Sequence, residues 1–88
     1  MIEREAKIVN QLGLHARPAA QIVKVASRFM ADIEIVKDGT PVNGKSIMGV
    51  MMLAAECGSA ILLRASGPDE ADAVAALADL VSRGFGEA

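Results

Sequence analysis

The chain has 88 residues, of which 52% are hydrophobic and 2% aromatic, with a formal net charge of -2. That length suits one domain over residues 1–88 with a thin stability margin, and its core must be built from Ile, Val, Leu, Met and Ala. A large enclosed ligand pocket is therefore not expected. An acidic balance without stacking aromatics argues against a nucleic-acid partner.

Cys57 is the single cysteine, which rules out an intramolecular disulfide or a cysteine zinc cluster. It is expected to be a small buried hydrophobe, in a reducing compartment. The first residues, Met1-Ile2-Glu3-Arg4-Glu5, are charged and lack the apolar region of a signal peptide. The longest near-apolar run, residues 47–55, is too short to span a bilayer. A cytoplasmic protein without membrane insertion is the expectation.

Residues 2–9 alternate with period two and predict a strand, with Ile2, Ala6 and Ile8 on one face. Asn10-Gln11-Leu12-Gly13 ends it. From Ala16 to about Met30 the period lengthens. Ala19, Ile22, Val23, Ala26, Phe29 and Met30 form one apolar face, with Arg17, Gln21, Lys24 and Arg28 opposite. This predicts an amphipathic helix, with Pro18 in the first turn, where its missing N–H does no harm.

Residues 32–37 alternate again as a strand. Asp38-Gly39 is a two-residue hairpin signal, and Thr40 to Asn43 returns as a short strand placed at an edge by Pro41. Ser46 is an N-cap candidate for a short helix through residues 47–55, with Gly58 as its stop. Val50, Leu53 and Ala54 are expected to face the sheet. Residues 60–65 are a near-continuous apolar run and suit a central strand. Gly67-Pro68-Asp69-Glu70 opens a last helix, with Pro68 in its first turn and acids against the dipole. Val74, Leu77, Leu80 and Val81 form its buried stripe. Gly84 and Gly86 end it, with Phe85 packing back. The order is βαββαβα, a two-layer α+β open-faced sandwich with three helices on one face of a four-stranded sheet.

Chemistry concentrates in Gly13-Leu14-His15-Ala16-Arg17-Pro18-Ala19-Ala20. His15 is the only histidine. It stands at a helix start that lacks the usual Ser, Thr, Asp or Asn cap. The plain alternative is a surface or capping residue without chemistry. The functional reading combines three groups within one helical turn. These are an imidazole able to take a phosphoryl group, free amides that bind anions, and Arg17 as a fork for phosphoryl oxygens. A metal site is not expected from one histidine and scattered acids. A serine–histidine hydrolase lacks a third group and an oxyanion motif.

Ser46 serves equally as a structural cap or as a phosphorylation site, favoured there by the helix start and Lys45. Ile47, Met48, Met51 and Met52 have less cover than the rest of their helix. They are either buried by neighbouring elements or form an adaptable docking patch.

The eight-residue stretch around His15 resembles the active-site motif of the HPr family, the histidine phosphocarriers of the sugar phosphotransferase system. Lys45-Ser46-Ile47-Met48-Gly49-Val50-Met51-Met52-Leu53-Ala54, preceded by Gly39-Thr40, is similar to the family's second motif. The likeness covers essentially the whole chain.

It implies an antiparallel sheet in the order 1-4-2-3. It implies that His15 accepts a phosphoryl group on Nδ1 from phosphorylated Enzyme I and passes it to an enzyme IIA component. Arg17 and the amides at the start of the helix, those of Ala16 and Arg17, would stabilise that group. Ser46 matches the position modified by an HPr kinase/phosphorylase where one exists. Ile47, Met48 and Met51 match the partner-docking surface. No cofactor and no autonomous turnover are implied, and a monomer is expected. Two alternatives stay open: a carrier of the nitrogen-related branch, and an interaction module controlled at Ser46 that acts on a transcription factor or enzyme.

Overall fold

The computed structural model of the protein describes residues 1–87, so the last position of the expected domain, Ala88, lies outside the described residues. Four strands, β1 (Ile2–Lys7), β2 (Asp32–Lys37), β3 (Thr40–Asn43) and β4 (Ala60–Ser66), alternate with three helices, α1 (Ala16–Ala26), α2 (Ile47–Met52) and α3 (Glu70–Ser82). The strands form one antiparallel sheet in the order β1-β4-β2-β3. The apolar run of β4 is central, as expected, with Leu63 opposite Arg4 on one side and Ile35 on the other.

Period two decides which face each strand buries. Ile33, Ile35, Ile61, Leu63 and Ala65 are buried under the helices with Ile22, Val50, Leu77 and Val81. Fully burying one such aliphatic side chain contributes about 1.5–3 kcal/mol. The opposite face carries charge. Arg64 bridges Glu3 on β1 at 2.6 Å and Glu34 on β2 at 3.0 Å, tying three strands across the open side.

β3 is an edge strand, so Pro41 leaves no ladder bond unmade inside the sheet. The β2–β3 connection is Asp38-Gly39, both at positive φ (+50° and +79°), the twist a two-residue hairpin turn requires.

β1 ends at Lys7 rather than at residue 9, and four further expectations change. α1 stops at Ala26, and Ser27 to Phe29 continue only as a tightened turn. Met30 is 80% exposed rather than part of the buried face. The cause is tertiary: the amides of Met30 and Ala31 donate to the Asp69 carboxylate, both at 2.9 Å, and the Phe29 carbonyl accepts from Lys45 Nζ at 2.8 Å. α2 ends at Met52, with Ala54 at φ +49° and exposed. Gly58 plays no part in stopping it, since its N–H donates to Ile8 O at 2.7 Å. α3 begins at Glu70 with Asp69 as N-cap, so Pro68 precedes the helix. Cys57 is exposed, its Sγ 3.7 Å from Val9 O, because it sits in the surface turn after α2 rather than in the core.

Candidate functional site

β1 runs into a loop that is pinned at both of its ends. Ile8 and Asn10 are buried, and the Gly13 N–H donates to Asn10 O at 3.2 Å. Gly13 has φ +68°, and a side chain there would run into the carbonyl oxygen of Ala55. Leu14 is buried, and its N–H donates to that same Ala55 carbonyl at 2.9 Å. These contacts deliver His15 to the N-cap of α1 in extended backbone (φ -80°, ψ -170°).

The imidazole makes no capping bond to its helix. The first intrahelical amide is Ala19, donating to His15 O at 3.0 Å. Pro18 has no N–H, so the amides of Ala16 and Arg17 are the donors left at the helix start. The absence of a capping side chain, legible in the sequence, thus holds in space.

The imidazole is instead held from the C-terminal end of the chain. Its Nε2 lies 3.0 and 3.2 Å from the two carboxylate oxygens of Glu87. Asn10 completes the cluster, its Nδ2 donating to Gly13 O at 2.8 Å and to Glu87 Oε1 at 3.0 Å. Asn10 is 2% exposed. Burial pushes the Glu87 carboxyl up, but the hydrogen bonds of His15 and Asn10 and the charges of His15 and Arg17 outweigh it. The net effect holds Glu87 below the usual carboxylate range.

Glu87 arrives there through a reversal of the chain. Gly84, Phe85 and Gly86 are all at positive φ (+60°, +58° and +73°). For Phe85 that conformation costs on the order of 1–3 kcal/mol, which burial of its ring offsets. Gln21 on α1 donates to Phe85 O at 3.2 Å, and the Glu87 N–H closes on Gly84 O at 2.9 Å.

Arg17 is exposed and lines an open cleft of about 520 Å³ with Gln11, Gln21 and Glu87. No carboxylate lies within ion-pair distance of it among the described residues. Arg17 thus stands exposed to solvent in the cleft that Glu87 also lines.

Ser46 is the N-cap of α2, its Oγ accepting from the Gly49 N–H at 3.1 Å. Lys45 reaches away to Phe29 rather than toward the Ser46 hydroxyl. Ser46 makes no hydrogen bond to the His15 cluster among the described residues, although α1 and α2 pack against each other. Ile47, Met48, Met51 and Met52 are exposed, with Met48 at 73%, and Leu12 beside the histidine loop is exposed too.

Sequence reading missed Asn10 and Glu87, which contact the histidine site. For Glu87 a signal existed: glycines flanking Phe85, whose packing turns the chain back, put the next acid over the molecule. Asn10 looks like a strand terminator and nothing more. Among the described residues no group of three His, Cys, Asp or Glu is placed to hold a metal ion. No described helix is long and apolar enough to cross a membrane.

The family model described as the PTS HPr component phosphorylation site matches residues 2–83. The phosphocarrier protein HPr of Cupriavidus necator is 46% identical over 87 residues, covering 99% of this chain and 98% of the relative. A crystal structure of HPr-C-His from Thermoanaerobacter tengcongensis superposes with a TM-score of 0.95 at 48% identity, covering 100% of this chain and 99% of that one. A crystal structure of an HPr dimer from the same organism gives 0.79 at 48% identity, covering 99% and 100%.

Proposed function

Because the chain belongs to the HPr family of phosphocarriers of the phosphotransferase system, we propose that His15 is the residue on which it carries the phosphoryl group. The observation that carries this reading is the state of His15. It is half-exposed at an uncapped helix start and held through Nε2, and among the described residues the neighbouring Arg17 has no carboxylate partner. Phosphorylated Enzyme I is the donor and an enzyme IIA component the acceptor. The Ala16 and Arg17 amides and the Arg17 guanidinium receive the phosphoryl oxygens. The protein acts as a monomeric cytoplasmic domain over residues 1–88 and turns over no substrate by itself.

Ile47, Met48 and Met51 are the docking surface. Their exposure supports this, since an apolar patch next to a polar site suits an adaptable partner contact. Ser46 is a second phosphorylation site, for control by an HPr kinase/phosphorylase. A phosphate there adds roughly -1.5 to -2 charge at the edge of that surface.

The test is incubation with Enzyme I and phosphoenolpyruvate. A gain of about 80 Da, the mass of one phosphoryl group, that is acid-labile and absent in His15→Ala is expected. A wild-type protein that gains nothing overturns the reading.

A further inference from the structure

We propose that Glu87 is a positioning residue for phosphoryl transfer, holding the His15 ring in the tautomer that presents Nδ1 as the nucleophile. The inference rests on the carrier reading above and adds a residue and a proton to it.

A carboxylate is an acceptor without a proton to give. Both oxygens of Glu87 lie within hydrogen-bond distance of Nε2, so Nε2 carries the hydrogen. In a neutral imidazole that leaves the lone pair on Nδ1. Among the described residues no side chain or amide hydrogen-bonds to Nδ1. The ring is therefore anchored on one side and open on the other.

The carboxylate is itself held in place. Asn10 Nδ2 meets two acceptors, Gly13 O and Glu87 Oε1, and with the amide reversed its oxygen would face both of them. Asn10 thus joins the loop that delivers His15 to the tail that orients it. The Glu87 amide, bonded to Gly84 O, fixes the backbone beneath the carboxylate.

The transfer step balances without moving this proton. The Nδ1 lone pair forms a bond to phosphorus while the bond from phosphorus to the donor atom breaks, and that electron pair returns to the donor. The ring becomes a cationic N-phosphorylated imidazole with its hydrogen still on Nε2, and Glu87 faces the new charge. When an acceptor protein attacks phosphorus, the N–P electron pair returns to Nδ1 and the starting tautomer is restored. Orientation and charge are both supplied before the partner arrives.

The test uses the uniformly nitrogen-15-labelled full chain. Ring nitrogen shifts report the tautomer of the neutral imidazole, and rapid-quench assays report the rate of uptake from phosphorylated Enzyme I. The wild type should show mainly the Nε2–H form. Glu87→Ala should raise the Nδ1–H population and slow uptake by about tenfold, the size of one charge-assisted hydrogen bond. Glu87→Gln keeps an acceptor oxygen and loses the charge, so it should retain the tautomer and fall between the two in rate.

If the wild type takes up phosphate but is mainly Nδ1–H, or if either readout is unmoved in Glu87→Ala, the Glu87 role is overturned alone. A wild type that takes up no phosphate overturns the carrier reading and this role with it. Unchanged circular dichroism and denaturant midpoints in both variants separate positioning from unfolding.

Discussion

Gly13 and Ala55 meet backbone to backbone. Gly13, at φ +68°, leaves no room for a side chain against the Ala55 carbonyl, to which the Leu14 amide donates at 2.9 Å. The loop carrying His15 is thereby bolted to the segment that follows α2. Gly13→Ala forces a methyl into a carbonyl oxygen at a left-handed φ. It should cost about 2–3 kcal/mol, read as a lower urea midpoint with unchanged slope. Phosphate uptake at His15 should slow in the same variant, since the loop must shift to relieve the contact.

Asp69 links the start of α3 to the turn after α1. Its pKa lies below the usual Asp value, chiefly because the Met30 amide donates to its carboxylate. Burial opposes this, and the Ala31 amide and the charge of Lys45 assist it. Glu70 is held low as well, first by the Gly67 amide and then by the amino terminus of Met1. A depressed carboxylate contributes stability that is complete above its unfolded pKa and lost as pH falls through the folded one. The urea midpoint of the wild type should therefore fall as pH drops from about 5 toward 2. Asp69→Asn should be less stable at neutral pH and show a shallower acid decline. Parallel curves for the two proteins would contradict this account.

Ser46 separates a cap from a charge. Ser46→Ala removes the acceptor for the Gly49 amide and should lower stability by about 1 kcal/mol. Asp is as good an N-cap as Ser, so Ser46→Asp should hold its stability. The carboxylate, like a phosphate, places negative charge beside Ile47 and Met48. Enzyme I should bind this variant more weakly, which titration calorimetry would detect.

Met48 projects into solvent, so Met48→Glu should leave the thermal midpoint within about 2 °C. If the patch docks Enzyme I, the same change should raise the KM for this protein as a substrate of Enzyme I by about tenfold while kcat holds. Loss of kcat at unchanged KM would place Met48 outside the docking surface.

The elements were legible to different depths. Alternation in β2 and β4, the Asp38-Gly39 turn and the Ser46 cap are local signals that tertiary packing left undisturbed. The far end of α1 was not legible, because its continuing apolar period lost to the Asp69 carboxylate and Lys45, both remote in sequence. Cys57 was misplaced because an apolar residue type says nothing about which side of a turn it will occupy. At the site, the missing cap at His15 and the nearness of Arg17 were plain in the sequence, being neighbours within one helical turn.

What the sequence determined by itself is the chemistry available: one imidazole and one guanidinium at an uncapped helix start, and an apolar run behind a serine cap. Those features depend on spacing within a turn or a strand, which helix and strand periods translate directly into position. What only the tertiary structure decided is how the imidazole is held. Glu87 lies 72 residues from His15, and Asn10 lies 77 from Glu87. They meet because three successive left-handed residues reverse the tail over α1. No local period encodes that meeting; it follows from burying Phe85 and closing the chain on the loop where the histidine stands.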